Sequence, residues 1–255
     1  MAKNNHKYAD LSINLDELFS SQFAGQDESD DSNLEKYLGI AATYAGLEAC
    51  ISVLSDLKER RSYIFYGGLA ETLGISAEGA TQVLDTIWEE VILCRISKKD
   101  LDRKQMEEMK FFTFVKGHPV NGNDFYMNSS FPMACRNGKS VNVRHRIFYL
   151  HNGKTIRYAL CLYNASASML PESTIVNLRS GEELPLYRVD ASHMLSAREI
   201  EVLKLIADGL SSKEISERLR ISVYTVSRHR QNIISEMNVK NSSQACQIAH
   251  QMGLI

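Results

Sequence analysis

Three serine-led helix starts crowd into the C-terminal quarter of the chain, and they restrict its fold more than any other feature of the sequence. Ser196 stands three residues before Glu199, and Ser211 three before Glu214. That is the spacing of a capping box, in which the serine hydroxyl accepts a backbone N–H of the first turn while the glutamate reaches back to the serine N–H. Ser222 supplies a third cap. The first helix then carries Ile200, Leu203 and Ile206-Ala207 on its apolar face and ends at Gly209. The second, built on Ile215 and Leu219, is very short. A third runs from Val223 to about Met237, and a fourth from about Ser243 to Met252. The pattern predicts an all-α four-helix domain over 193–255.

Two helices joined by the tight turn Arg220-Ile221-Ser222 fit the helix-turn-helix, whose second helix lies in the major groove of DNA. On that helix Val226, Ile233 and Met237 form an inward stripe, while Tyr224, Ser227, Arg228, Gln231 and Ser235 share the opposite one. Arginine pairs bidentately with guanine and glutamine with adenine, and serine contacts either kind of base. Ser227, Arg228 and Gln231 are therefore the expected base readers. Lys213, Tyr224, Thr225 and Arg230 suit the backbone phosphates that set register. On the fourth helix Ala245, Ile248, Ala249 and Met252 share a face, expected to be a small self-complementary dimer patch.

These residues resemble the LuxR-type helix-turn-helix, also called GerE or NarL-type, over about Met194 to Ile255. The matching pieces are Leu195-Ser196-x-Arg198-Glu199-x-Glu201-Val202-Leu203, Gly209-Leu210-Ser211-x-Lys213-Glu214-Ile215, Thr225-Val226-x-x-His229, and Val239-x-Asn241 followed by Ala245. The resemblance implies a bacterial regulator with four helices, the third reading the groove and the fourth supplying a dimer contact. Ser227 replaces the family's usual lysine, and Glu236 and Ser242 stand where basic residues are common, so each half-site is expected to bind weakly and two to act together.

At 255 residues the chain is longer than an average domain, and 44% hydrophobic with 24% charged residues is an ordinary globular composition. Its net charge of −2 excludes coating nucleic acid by bulk charge. Residues 1–33 are polar and end in Gln26-Asp27-Glu28-Ser29-Asp30-Asp31-Ser32, a composition that predicts a flexible acidic arm, within which Leu11, Leu15, Leu18 and Phe19 fall at helical spacing. Residues 34–164 read as a helix, a strand at Cys50 to Leu54, a strand at Tyr63 to Tyr66, a short helix between Gly67-Gly68 and Gly74, helical stretches from Ala77 to Ile92 and Leu101 to Val115, and three strands. The last are Phe125 to Cys135, Ser140 to Leu150 and Thr155 to Tyr163, separated by two Asn-Gly turns. This order predicts an α+β domain with helices against one side of an antiparallel sheet. Ile51 to Asn164 resembles a PAS domain, carried by Ile51-Ser52-Val53-Leu54-Ser55-Asp56 with Tyr63-Ile64-Phe65, by Leu69-Ala70-Glu71-Thr72-Leu73-Gly74, and by Ile96-Ser97-Lys98-Lys99-Asp100-Leu101. The family's frequent histidine-proline pair is replaced here by Ser97-Lys98. Residues 165–192, interrupted by Pro171, Ser180-Gly181 and Pro185, read as a linker.

No catalytic set stands out, so no enzymatic activity and no cofactor or metal are expected. The five cysteines form no C-x-x-C pair and read as reduced thiols. Leu93-Cys94-Arg95-Ile96 lacks the flanking residues of the flavin-reactive segment of light-sensing PAS relatives. His118 beside Pro119 reads as a loop residue rather than a haem ligand, Trp88 as core, and Arg144-His145-Arg146 as a solvated sheet face. No run approaches the roughly 18 apolar residues of a membrane span, and a cytoplasmic protein is expected. The whole reads as a sequence-specific regulator: a PAS-like sensor of a small molecule or protein signal controlling a dimeric helix-turn-helix on double-stranded promoter DNA. The alternatives are a response regulator without a recognisable receiver, and an enzyme with a DNA-binding tail.

Overall fold

The computed structural model describes residues 15, 19–20, 22–23, 33–118, 122–152, 155–188, 195–237, 239, 241–252 and 254–255, the side chains of Ile248, Gln251 and Met252 excepted. It divides into two compact units, one spanning Phe19–Arg188 and the other containing Val189–Ile255.

The first unit opens with helix α1 (Leu34–Leu47) and the hairpin β1 (Ile51–Asp56) and β2 (Arg61–Tyr66). Asp56 shapes the hairpin turn, its Oδ1 accepting the backbone N–H of Lys58 and Glu59 at 3.0 and 2.9 Å and its Oδ2 accepting Arg157 Nη2 at 2.8 Å. Next come α2 (Gly68–Leu73), β3 (Thr81–Leu84), α3 (Glu90–Leu93) and the long α4 (Lys98–Lys116). Ser97 caps α4 by accepting from Asp100 N. Gly67 is obligatory before α2, because a Cβ there would lie 2.4 Å from the carbonyl oxygens of both Ala45 and Cys50. The meander β4 (Phe125–Ala134), β5 (Ser140–Asn152) and β6 (Thr155–Ala165) follows, and then β7 (Thr174–Asn177) and β8 (Glu183–Pro185). One antiparallel sheet holds all eight strands in the order β3-β2-β1-β6-β5-β4-β7-β8.

β1 is buried along its whole length, which requires cover on both faces. On one face Leu54, Tyr158, Leu160 and Leu162 form a core with Ala41, bordered by Tyr37, Leu38 and Tyr44 of α1. On the other, Phe111 and Phe112 of α4 lie against Tyr149, with ring centroids 5.4 and 5.1 Å away. Helices thus cover both sides of the sheet, not the single side expected, because α1 folds back over the face the later helices leave open.

Other expectations shift in the same unit. The helix expected from Ala77 to Ile92 is an edge strand, Thr81–Leu84, and a single helical turn, Glu90–Leu93. Trp88 is half-buried rather than core. Much of the expected linker is sheet: Thr174–Asn177 pairs with β4, Glu183–Pro185 pairs with β7, and Leu186 is buried. From the expected arm, Phe19 lies 4.8 Å from the Phe112 ring and the Gln22 amide bonds both backbone groups of Ile156; its acidic run lies outside the described residues. The Arg144-His145-Arg146 face is not uniformly solvated, since strand alternation drives His145 inward to full burial. His118 donates from Nδ1 to the Phe114 carbonyl oxygen at 2.7 Å and stacks on the Phe114 ring. All five cysteines are free thiols. No helix among the described residues is long and apolar enough to cross a membrane.

The second unit is all-α: α5 (Ala197–Ala207), α6 (Ser212–Leu219), α7 (Val223–Glu236) and α8 (Ser242–Met252). Both capping boxes form, Ser196 with Glu199 and Ser211 with Glu214, and Ser222 accepts from Thr225 N. Burial would raise the Glu199 carboxyl pKa, but hydrogen bonds from Ser196 and Asn232 and the nearby His229 hold it below the usual range. The α5 stripe is rotated from the expected one: Val202, Leu203 and Leu205 are buried, whereas Ile200 and Ile206 are half-buried.

Candidate nucleic-acid interface

The turn between α6 and α7 is fixed by Arg220, whose φ of 52° lies in the left-handed region. Arg198 reinforces it, donating from Nη2 to the Leu219 carbonyl at 2.9 Å and so satisfying a carbonyl left open at the end of α6. α7 is seated on its inward stripe, with Val226 and Ile233 of α7 and Met237 just beyond it at most 1% exposed. That seating leaves Tyr224, Ser227, Arg228, Gln231 and Ser235 together on the exposed side. Tyr224 is 78% exposed, and beside it Val223, which sequence reasoning left out, is 46% exposed. The stripe therefore offers hydrogen-bonding groups, one guanidinium and an apolar end. Lys213 and Arg220 are also exposed.

Two of the expected phosphate residues have internal work. Arg230 is half-buried and donates from Nη1 to Ser212 Oγ at 2.6 Å and from Nε to Ser242 Oγ at 3.4 Å. Its fork therefore joins three helices, and it sits on the flank of α7 rather than the outer face. Thr225 is half-buried, its Oγ1 2.8 Å from Ser222 Oγ. The dimer patch is corrected outright for Ala245 and Ala249, which are fully buried in the unit, where α8 packs on α5 and α7. Small residues there let helices approach, and the same smallness suggested a patch. The side chains of Ile248 and Met252 lie outside the described residues. His229 is half-buried, with Nδ1 buried and lacking a hydrogen-bond partner.

Two short helices joined by a left-handed turn, the second seated on apolar residues and polar on its free side, define a helix-turn-helix domain. Residues 193–249 match the family described as bacterial regulatory proteins, luxR family, and this segment is a LuxR-type helix-turn-helix domain. Among curated proteins the chain is 44% identical over 61 residues to the transcriptional regulatory protein LiaR of Bacillus subtilis, covering 24% of this chain and 29% of that protein. It is 42% identical over 60 residues to the oxygen regulatory protein NreC of Staphylococcus carnosus, covering 24% and 28%. A third match, the response regulator protein VraR of Staphylococcus aureus, is 41% identical over 68 residues, covering 27% and 32%. The chain thus spans under a third of the length of the curated relatives it matches. Solved structures with some likeness are a phage VqmA–DPO complex (15% identity, TM-score 0.30, 86% of this chain and 89% of that one) and Escherichia coli SdiA (17%, 0.26, 96% and 99%). At those scores the likeness carries no argument.

Proposed function

We propose that the chain is a sequence-specific, DNA-binding transcriptional regulator whose sheet unit is a PAS-like sensor of a small molecule or protein signal and whose helical unit acts as a dimer on a promoter. The observation that carries this reading is the exposed row Ser227, Arg228 and Gln231 on a helix whose opposite side is locked by Val226 and Ile233. Side chains on a rigid element, polar and unoccupied by internal bonds, are what base edges require. Lys213, Tyr224 and Arg220 flank the row and suit phosphates, while Arg230 positions the helix. The sheet order β2-β1-β6-β5-β4, with α2, α3 and α4 between the hairpin and the meander, supports the PAS-like assignment. The response regulator protein VraR matches over 27% of this chain, and every strand pair described in this sheet is antiparallel, unlike the alternating parallel βα arrangement of a receiver.

In vitro selection from random duplexes with the full chain, followed by anisotropy titration at several salt concentrations, tests the proposal. A selected, roughly palindromic site that outcompetes random duplex supports it. Equal affinity for selected and random DNA sinks it.

A further inference from the structure

Inside the sheet unit, between α4 and the face of β5 and β6, three side chains of different metal-binding chemistry converge: Glu108, His145 and Cys161, each with one donor atom within 4.8 Å of the others and all buried. We propose that they form a binding site for a divalent transition-metal ion of borderline softness, of which Zn2+ is the type. The proposal stands apart from DNA binding and rests on this unit alone.

The donor set selects the metal class. A thiolate and an imidazole favour zinc-like ions over magnesium or calcium, which take oxygen. Three protein ligands also leave a position for water or a signal molecule. His145 is oriented as a ligand: Nδ1 lies 3.4 Å from Ser129 Oγ, while Nε2 has no hydrogen-bond partner and faces Glu108 Oε1 at 3.8 Å. A metal-bound histidine usually has its other ring nitrogen held by an outer oxygen, and here the Ser129 hydroxyl is that oxygen. Tyr149, on the same face of β5, has a buried hydroxyl that also lacks a partner.

Charge points the same way. Glu89 and Glu108 are both buried, and the one ammonium among them, Lys104, is 2.6 Å from Glu108 Oε1. When Cys161 releases its proton to solvent as the metal–sulfur bond forms, two carboxylates, a thiolate and an ammonium sum to −2, which a divalent ion neutralises. Lys104 is then a competitor, holding the carboxylate in the metal-free state. Its displaced ammonium has a receptor nearby in the Tyr163 ring, 6.0 Å away, whose hydroxyl already bonds Glu89 at 2.7 Å.

The test titrates Co2+ into the reduced full chain and follows thiolate-to-cobalt charge-transfer absorption. One equivalent should bind with that band present. Cys161→Ala should abolish the band and weaken binding by more than about tenfold, whereas Cys94→Ala, at an exposed thiol, should change neither. Lys104→Met should tighten binding, since it removes the competitor; a purely structural ion pair would give destabilisation with no gain in affinity. His145→Gln, a milder change, should keep the fold and lose affinity. Absence of the band from the parent chain, its survival in Cys161→Ala, or unchanged affinity in both Lys104→Met and His145→Gln overturns the site.

Discussion

The guanidinium of Arg230 donates to the hydroxyl of Ser212 at 2.6 Å, so a residue in the middle of α7 is tied to the first turn of the helix before it. The angle between the two halves of the helix-turn-helix is held by this bond together with the Arg198 bond to the Leu219 carbonyl. Arg230→Ala should destabilise the helical unit by about 1.5–3 kcal/mol, the range for hydrogen bonds to a charged group. It should also weaken operator binding. Urea unfolding and anisotropy on the same variant check both; lost DNA affinity at unchanged stability would return Arg230 to the phosphates.

Arg228→Ala and Gln231→Ala should each weaken binding to a selected site by about 1–3 kcal/mol while leaving random-duplex binding nearly unchanged. Lys213→Ala should instead weaken all sequences together and flatten the salt dependence. Competition titrations against operator and random DNA separate the two classes, and equal losses on both for Arg228→Ala would make it a backbone contact.

Ser196→Ala should cost about 1 kcal/mol by removing the α5 cap, and Ser211→Ala should act in the same direction. A pH effect accompanies the first. Glu199 has a carboxyl pKa lower in the folded state than in the unfolded chain, so its contribution is fully present above the unfolded pKa and is lost as pH falls through the folded one. The thermal midpoint of the helical unit should therefore drop on acidification, and less steeply in Glu199→Gln. An identical pH profile in that variant would remove Glu199 from the acid response.

Ala249→Asp should unfold the helical unit rather than split a dimer, because Ala249 is fully buried and a carboxylate there has no partner. The expected loss is on the order of 4 kcal/mol or more. Circular dichroism and sedimentation decide: a fully folded variant that has merely become monomeric would restore the patch.

Much of the helical unit was legible because its signals are local. Ser196, Ser211 and Ser222 each act on a backbone N–H three residues on, and Val226, Ile233 and Met237 repeat at helical spacing, so no distant partner is needed to read them. The fourth-helix alanines were misread because a small apolar face looks the same whether it meets its own domain or another copy. In the sheet unit the long strands and Asn-Gly turns announced the meander, but Thr174–Asn177 and Glu183–Pro185 are too short and too close to Pro171 and Pro185 to stand out from a connector. His145 was hidden by its charged neighbours, although alternation along β5 places it opposite both. The signal that was there to be found is the i, i+4 pair Lys104 and Glu108, lying on the same side of α4 as Leu101, Phe111 and Phe112.

The pairing of Ile51 with Tyr163 has a consequence for how the chain is made. β1 leaves the ribosome more than a hundred residues ahead of the strand that must lie beside it, a delay on the order of ten seconds at ordinary rates of synthesis. During that interval only the β2 side of β1 can be paired. The opposite edge, beside the apolar Ile51, Val53 and Leu54, waits as an open template, and shielding it until β6 arrives is the task that nascent-chain chaperones would have to perform.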